Sequence, residues 1–173
     1  MASRPDVPQR AFRIVSTKYP PFDGSGTHRW GSRWISPGRW VVHAADSYAL
    51  AVLENLVHWQ ASSLPPGLVC VRVEIPEDLA YESVVATDIE PWPPTNDSQT
   101  RAIGDDWYER RETGVLWVPS VVSAFDRNVL FHQRHPDFSR LVVQDPSKGC
   151  GGSCLPPDMH EIRGWPIERE VIV

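Results

Sequence analysis

Apolar and polar positions alternate most regularly in Leu68-Val-Cys-Val-Arg-Val-Glu-Ile75, a β-branched run stopped by Pro76. A two-residue period puts alternate side chains on one face, so this segment is predicted to be a strand. Ala11-Phe-Arg-Ile-Val15, Trp40-Val-Val-His43 and Val115-Leu-Trp-Val-Pro-Ser120 read as further strands. Leu130-Phe-His leads into the turn-like His135-Pro-Asp-Phe, and Leu141-Val-Val is expected to be a last core strand. Between strands the period changes. Ala49, Leu50, Leu53, Leu56 and Val57 recur at helical spacing and predict a helix over 47–60 with one apolar face, capped by Asp46 or Ser47. Glu54 falls on the flank of that face, beside Leu50 and His58, at the rim of a core. Thr100 to Arg111 predicts a second helix, with Ile103, Trp107 and Tyr108 as its apolar contacts and Gly114 closing it. Strands interleaved with helices, without regular βαβ alternation, predict an α+β fold with a compact mixed or antiparallel sheet and flanking helices.

Length and composition narrow the class. A chain of 173 residues reads as one domain, in which roughly two-thirds of the unfolded surface is buried. The boundaries suggested by composition are a polar, Pro-containing N-terminus at 1–10, a folded domain at 11–144 and a Gly/Pro-rich extension at 145–173. A net charge of −5 argues against attraction to a polyphosphate backbone, so nucleic acid is not expected as a partner. No run approaches the roughly 20 apolar residues of a membrane span, and no apolar leader is present, which suggests a cytoplasmic protein. The chain carries 17 prolines and eight tryptophans. Pro20 to Arg39, rich in turn signals and holding Trp30, Arg33 and Trp34, reads as an irregular binding loop.

Familiar nucleotide-cradling loops and the Gly-x-Ser-x-Gly elbow are missing. Cys150-x3-Cys154 with His160 offers three zinc ligands at loose spacing without a fourth, which a Gly-rich tail explains as well, so no metal is expected. His132 and His135 flank a turn, as surface residues or as hydrogen-bonded supports. The informative feature is an ordered set: Gly31-Ser-Arg33-Trp34 on a loop, Ala51-Val-Leu-Glu54-x-Leu-Val-His58 on the following helix, and Val118-Pro-Ser120 at a strand end.

That set, with Glu74-Ile-Pro-Glu-Asp-Leu79, Ala102-Ile-Gly-Asp-Asp-Trp107 and Asn128-Val-Leu-Phe-His-Gln-Arg-His-Pro-Asp-Phe138, resembles the RES domain over roughly residues 11–144. The family is named for its Arg, Glu and Ser, and the resemblance implies an ADP-ribosyltransferase-like fold. It also implies an NAD⁺-consuming toxin of bacterial toxin–antitoxin pairs, with NAD⁺ as substrate and no separate cofactor. Arg33, Glu54 and Ser120 match the three naming positions. Two positions depart: His43 stands where the family usually has Tyr, and Ile35 where it usually has Asn.

Breaking the nicotinamide–ribose bond leaves positive character on the ribose, as in glycoside hydrolysis, and a carboxylate stabilises it. The resemblance gives that role to Glu54, gives Arg33 the pyrophosphate or an adjacent ribose, and gives Ser120 the nicotinamide or its ribose. Trp34, His43, Tyr48 and Asn128 complete the expected substrate-binding set, with Tyr48 a stand-in for the missing Tyr ring. Water or phosphate as acceptor gives a glycohydrolase or a phosphorylase. A protein acceptor gives an ADP-ribosyltransferase, and the two departures admit an NAD-binding module without turnover. The implied partner is a cognate antitoxin, with homo-oligomers formed through that complex.

Overall fold

The computed structural model describes residues 10–59 and 67–144. Seven strands form one sheet: β1 (Arg10–Ser16), β2 (Val41–Ala45), β3 (Leu68–Glu74), β4 (Tyr81–Ser83), β5 (Val115–Pro119), β6 (Arg127–His132) and β7 (Val142–Val143). Their order is β4-β5-β6-β2-β1-β3-β7. Only β4 and β5 run parallel, so the sheet is mixed and the fold α+β. The α-helices among the described residues are α1 (Ser25–Trp30), α2 (Tyr48–Trp59) and α3 (Ser98–Arg110).

Strand alternation sorts the core onto two faces. Val42, Ala44, Val71, Val73, Trp117, Val129 and Phe131 pack on one, with Phe22 and Phe138 against them. The other face carries two separate clusters. Trp34, Ile35, Val41, Trp107, Tyr108, Leu116 and Leu130 join α3 to the β5–β6 side, and Ile14, Ala45, Leu50 and Ala51 join α2 to β1 and β2. A pocket lies on this face between α2 and the loop after α1.

Several expectations change. The segment read as an irregular loop over Pro20–Arg39 contains α1, and its Trp30 is 72% exposed beneath the Arg29 guanidinium. Ser47 is the cap of α2, its Oγ accepting from Leu50 N at 3.1 Å, while Asp46 accepts from Arg127 N. The expected apolar face of α2 is only half buried: Leu50 and Ala51 enter the core, whereas Leu53 and Val57 are exposed. Helix α3 is ended by Arg111 in the left-handed conformation rather than by Gly114, which is buried at the start of β5. Leu141 joins the core, but Val142 and Val143 form an exposed edge strand on β3, because β7 has a neighbour on one side only. His132 is a fully buried support: its Nε2 contacts Tyr108 O at 3.1 Å and its ring stacks on Tyr108. His135 Nδ1 accepts from Asp137 N and starts a short turn of helix. Cys150, Cys154 and His160 lie outside the described residues.

Candidate functional site

The sheet parts at its centre. β1 pairs with β3 along its whole length, but meets β2 at a single bridge, Phe12 opposite Ala45. Beyond that bridge Arg13 Nη1 donates to the carbonyl of His43 at 2.7 Å. A cavity of about 540 Å³ opens at this parting, within the roughly 300–1,000 Å³ of small-molecule sites. Phe12, Ile14, His43 and Ala45 form its floor, α2 contributes Ala51, Glu54 and Asn55, and the loop after α1 contributes Gly31 to Trp34.

Glu54 is not a solvated helix carboxylate. Ser120 Oγ donates to its Oε1 at 2.8 Å and Asn128 Nδ2 donates to the same oxygen at 2.7 Å. The Ser120 hydroxyl also accepts from Val122 N at 3.0 Å and Ser123 N at 3.3 Å. One buried side chain thus fixes both the carboxylate and the loop leaving β5. Ser120 is 2% exposed and does not line the cavity. The expected contact with nicotinamide or ribose would thus be made by a hydroxyl already engaged by Glu54 and the loop.

Helix α3 moulds the loop that carries Arg33. Thr100 Oγ1 donates to Arg33 O at 2.7 Å, Arg101 Nε to Ser32 O at 2.8 Å, and Ser36 N to Asp105 Oδ1 at 2.9 Å. Gly104 lets the loop lie directly on the helix, where a Cβ would stand 1.9 Å from Trp34 O. Arg33 Nη1 pairs with Asp97 Oδ1 at 2.9 Å and remains partly exposed at the cavity. Trp34 touches the cavity but is 3% exposed within the α3 core, and Ile35 is fully buried there. The Ile35 side chain accordingly belongs to packing.

Tyr48 does not line the cavity. Its ring packs edge-on against the cavity residue Phe12 with centroids 6.5 Å apart. His43 does line it, and burial followed by the charge of Arg13 pushes the imidazole down to about 3. Sequence reading passed over Arg13 and Asp97. Arg13 was concealed as one polar position in a strand; Asp97, Arg101 and Asp105, spaced by four, mark one face of α3 and were the available signal. Burial also lowers Arg13, with Asp23 acting against it, although a guanidinium keeps its proton in proteins.

The RES domain model matches residues 8–151. The chain belongs to the RES domain family. A Prs ADP-ribosylating toxin of Sphingobium sp. (strain YBL2) is 34% identical to this RES-domain chain over 133 residues, 72% of this chain and 80% of that protein. Toxin Res of Photorhabdus laumondii is 30% identical over 138 residues, covering 76% and 86%. In architecture the RES-domain chain is similar to a chain in the crystal structure of the M. tuberculosis MbcT–MbcA toxin–antitoxin complex. The TM-score is 0.63 at 17% identity, with 79% of this chain and 81% of that chain covered. No helix among the described residues is long and apolar enough to cross a membrane.

Proposed function

We propose that this chain is an NAD⁺-degrading toxin that cleaves the nicotinamide–ribose bond, passing ADP-ribose to water or phosphate. The observation that carries this reading is the Glu54 carboxylate, held at a cavity wall by Ser120 and Asn128 through one oxygen. Among the described residues nothing donates to Oε2, which leaves that oxygen for the substrate. As the bond to nicotinamide breaks, the ribose gains positive character, and a preorganised carboxylate stabilises that charge more than it stabilises the ground state. Arg33 binds the pyrophosphate or adjacent ribose from the loop, and Trp34 closes that wall. Asn128 and Ser120 orient Glu54, and NAD⁺ is a substrate with no further cofactor.

A second reading is ADP-ribosyl transfer to a protein, favoured by the relative named Prs ADP-ribosylating toxin. The same cleavage serves both, and the acceptor separates them. The relatives named Toxin Res and the toxin–antitoxin complex of similar fold support a cognate antitoxin as partner. The test is nicotinamide release and NAD⁺ depletion by wild-type protein beside Glu54→Gln, with phosphate present and absent, and with labelled NAD⁺ in cell extract. Wild-type release lost in the variant is expected. Absence of release by folded wild-type protein with every acceptor overturns the reading, and label moving to protein selects transfer.

A further inference from the structure

His43 belongs to the expected substrate-binding set, but its sequence context does not say which substrate group it would meet. It lies opposite Leu130 in the β2–β6 ladder, and Asn128, two residues from Leu130, lies opposite Ala45. By alternation His43 and Asn128 share one sheet face as diagonal neighbours, a relationship that spans about 7–8 Å. Asn128 grips Glu54 and both Glu54 and His43 line the cavity, so the imidazole sits one diagonal step from the anchor of the carboxylate. Its Nε2 is buried and has no hydrogen-bond partner among the described residues. A buried polar atom without a partner is costly and uncommon, and at a cavity wall it is a place for a ligand atom.

The polar ligand group must suit its surroundings. Burial and the Arg13 cation, bonded to the backbone carbonyl of His43 itself, hold the ring neutral. A neutral imidazole gives one hydrogen bond and takes one, with no charge to balance an anion. Glu54 stands in the same cavity and disfavours a second carboxylate. A ring kept neutral so far below physiological pH is also a poor general base, since a base works best with its pKa near the operating pH. The carboxamide of nicotinamide is neutral, both donor and acceptor, and sits on the ring carbon next but one to the nitrogen whose ribose bond breaks.

Resting on the NAD⁺ reading above, we propose that His43 hydrogen-bonds the carboxamide of the substrate's nicotinamide and thereby selects the amide over the corresponding acid. Glu54 serves the bond that breaks, and His43 holds the leaving ring in register with it.

The test compares wild type, His43→Gln and His43→Phe on NAD⁺ and on nicotinic acid adenine dinucleotide, which carries a carboxylate in place of the amide. Wild type is expected to favour NAD⁺ in kcat/KM by about tenfold or more, the effect of one hydrogen bond in a desolvated site. His43→Phe should raise KM for NAD⁺ about tenfold, with a smaller change in kcat, and narrow the preference to what the Glu54 charge alone imposes. His43→Gln, which still offers an amide, should retain most of both. Calorimetric binding of NAD⁺ in a Glu54→Gln background reads the same contact without turnover, and melting curves establish that each variant is folded. A folded His43→Phe protein with wild-type KM and preference overturns the proposal, as does an equal loss in the Gln and Phe variants. If wild type neither binds nor cleaves either dinucleotide, the NAD⁺ reading itself fails and this proposal with it; wild-type turnover with an indifferent position 43 fails the proposal alone.

Discussion

Asn128 Nδ2 donates to Glu54 Oε1 at 2.7 Å, tying a strand of the sheet to a helix 74 positions away in sequence. The same oxygen receives Ser120 Oγ at 2.8 Å. Both bonds end on an atom that a glutamine side chain also possesses, its carbonyl oxygen. Glu54→Gln therefore removes charge while preserving the geometry. Nicotinamide release is expected to fall about 100-fold or more, the scale of losing one preorganised electrostatic group, with the melting temperature little changed. Release near the wild-type rate would remove Glu54 from the chemistry.

Ser120→Ala deletes a donor to Glu54 and an acceptor for two backbone N–H groups at once. Leaving such groups unpaired costs about 1–3 kcal/mol each when buried. Urea denaturation should report lower stability, and steady-state kinetics should report a lower kcat with KM less affected, because the cavity wall is otherwise intact. A normal kcat would show that Asn128 alone orients the carboxylate.

Arg33 is held by Asp97 at 2.9 Å and faces the cavity from a loop. Lysine keeps the charge but not the planar fork that can engage Asp97 and a phosphate together. Arg33→Lys is expected to raise KM for NAD⁺ about tenfold, consistent with losing one charge-assisted hydrogen bond. An unchanged KM would leave Arg33 with a purely structural part.

Gly104→Ala would set a methyl carbon 1.9 Å from the carbonyl oxygen of Trp34. Backbone is the obstacle, so no side-chain rotation relieves it, and overpacking of this kind costs about 1–3 kcal/mol or more. The loop bearing Arg33 must then lift from α3. Thermal melts should show clear destabilisation, and NAD⁺ binding measured on protein that remains folded should weaken. A stable variant with normal binding would mean that the loop is not seated by this contact.

Two histidines tie stability to pH. His43 titrates at about 3, and burial, helped by neighbouring Arg111 and His135, also lowers His132. Both lie below the unfolded value of about 6.5, so the unfolded chain takes up protons first as pH falls. Their contribution is complete above that value and is lost between it and the lower folded value. Asp46, raised first by burial, acts in the opposite direction, whereas Asp23 is lowered because hydrogen bonds from Ser25 and Gln133, with the charge of Arg13, outweigh its burial. The melting temperature should drop from pH 7 to pH 4.5, and His43→Gln should narrow that drop. An equal drop in both proteins would show that His43 does not contribute to it.

The sequence by itself determined the α+β class, the strands at Ala11–Val15, Leu68–Ile75 and Val115–Ser120, the helix bearing Glu54, and the ordered Arg33, Glu54 and Ser120 set. These features reside in short windows, where a period of two or of 3.6 states which face each side chain takes. Such a window does not state what the face meets. Leu53 and Val57 have the right spacing for burial but are exposed, and Val142 and Val143 alternate no differently from strands that gain two neighbours. Only the tertiary structure placed Ser120 behind Glu54, drew Asn128 to the same oxygen and brought the Arg13 guanidinium to the carbonyl of His43. It likewise used Gly104 of α3 to seat the Arg33 loop. Each of these contacts joins residues tens of positions apart, where strand order and the parting of β1 from β2 decide proximity, and local patterning carries no term for either.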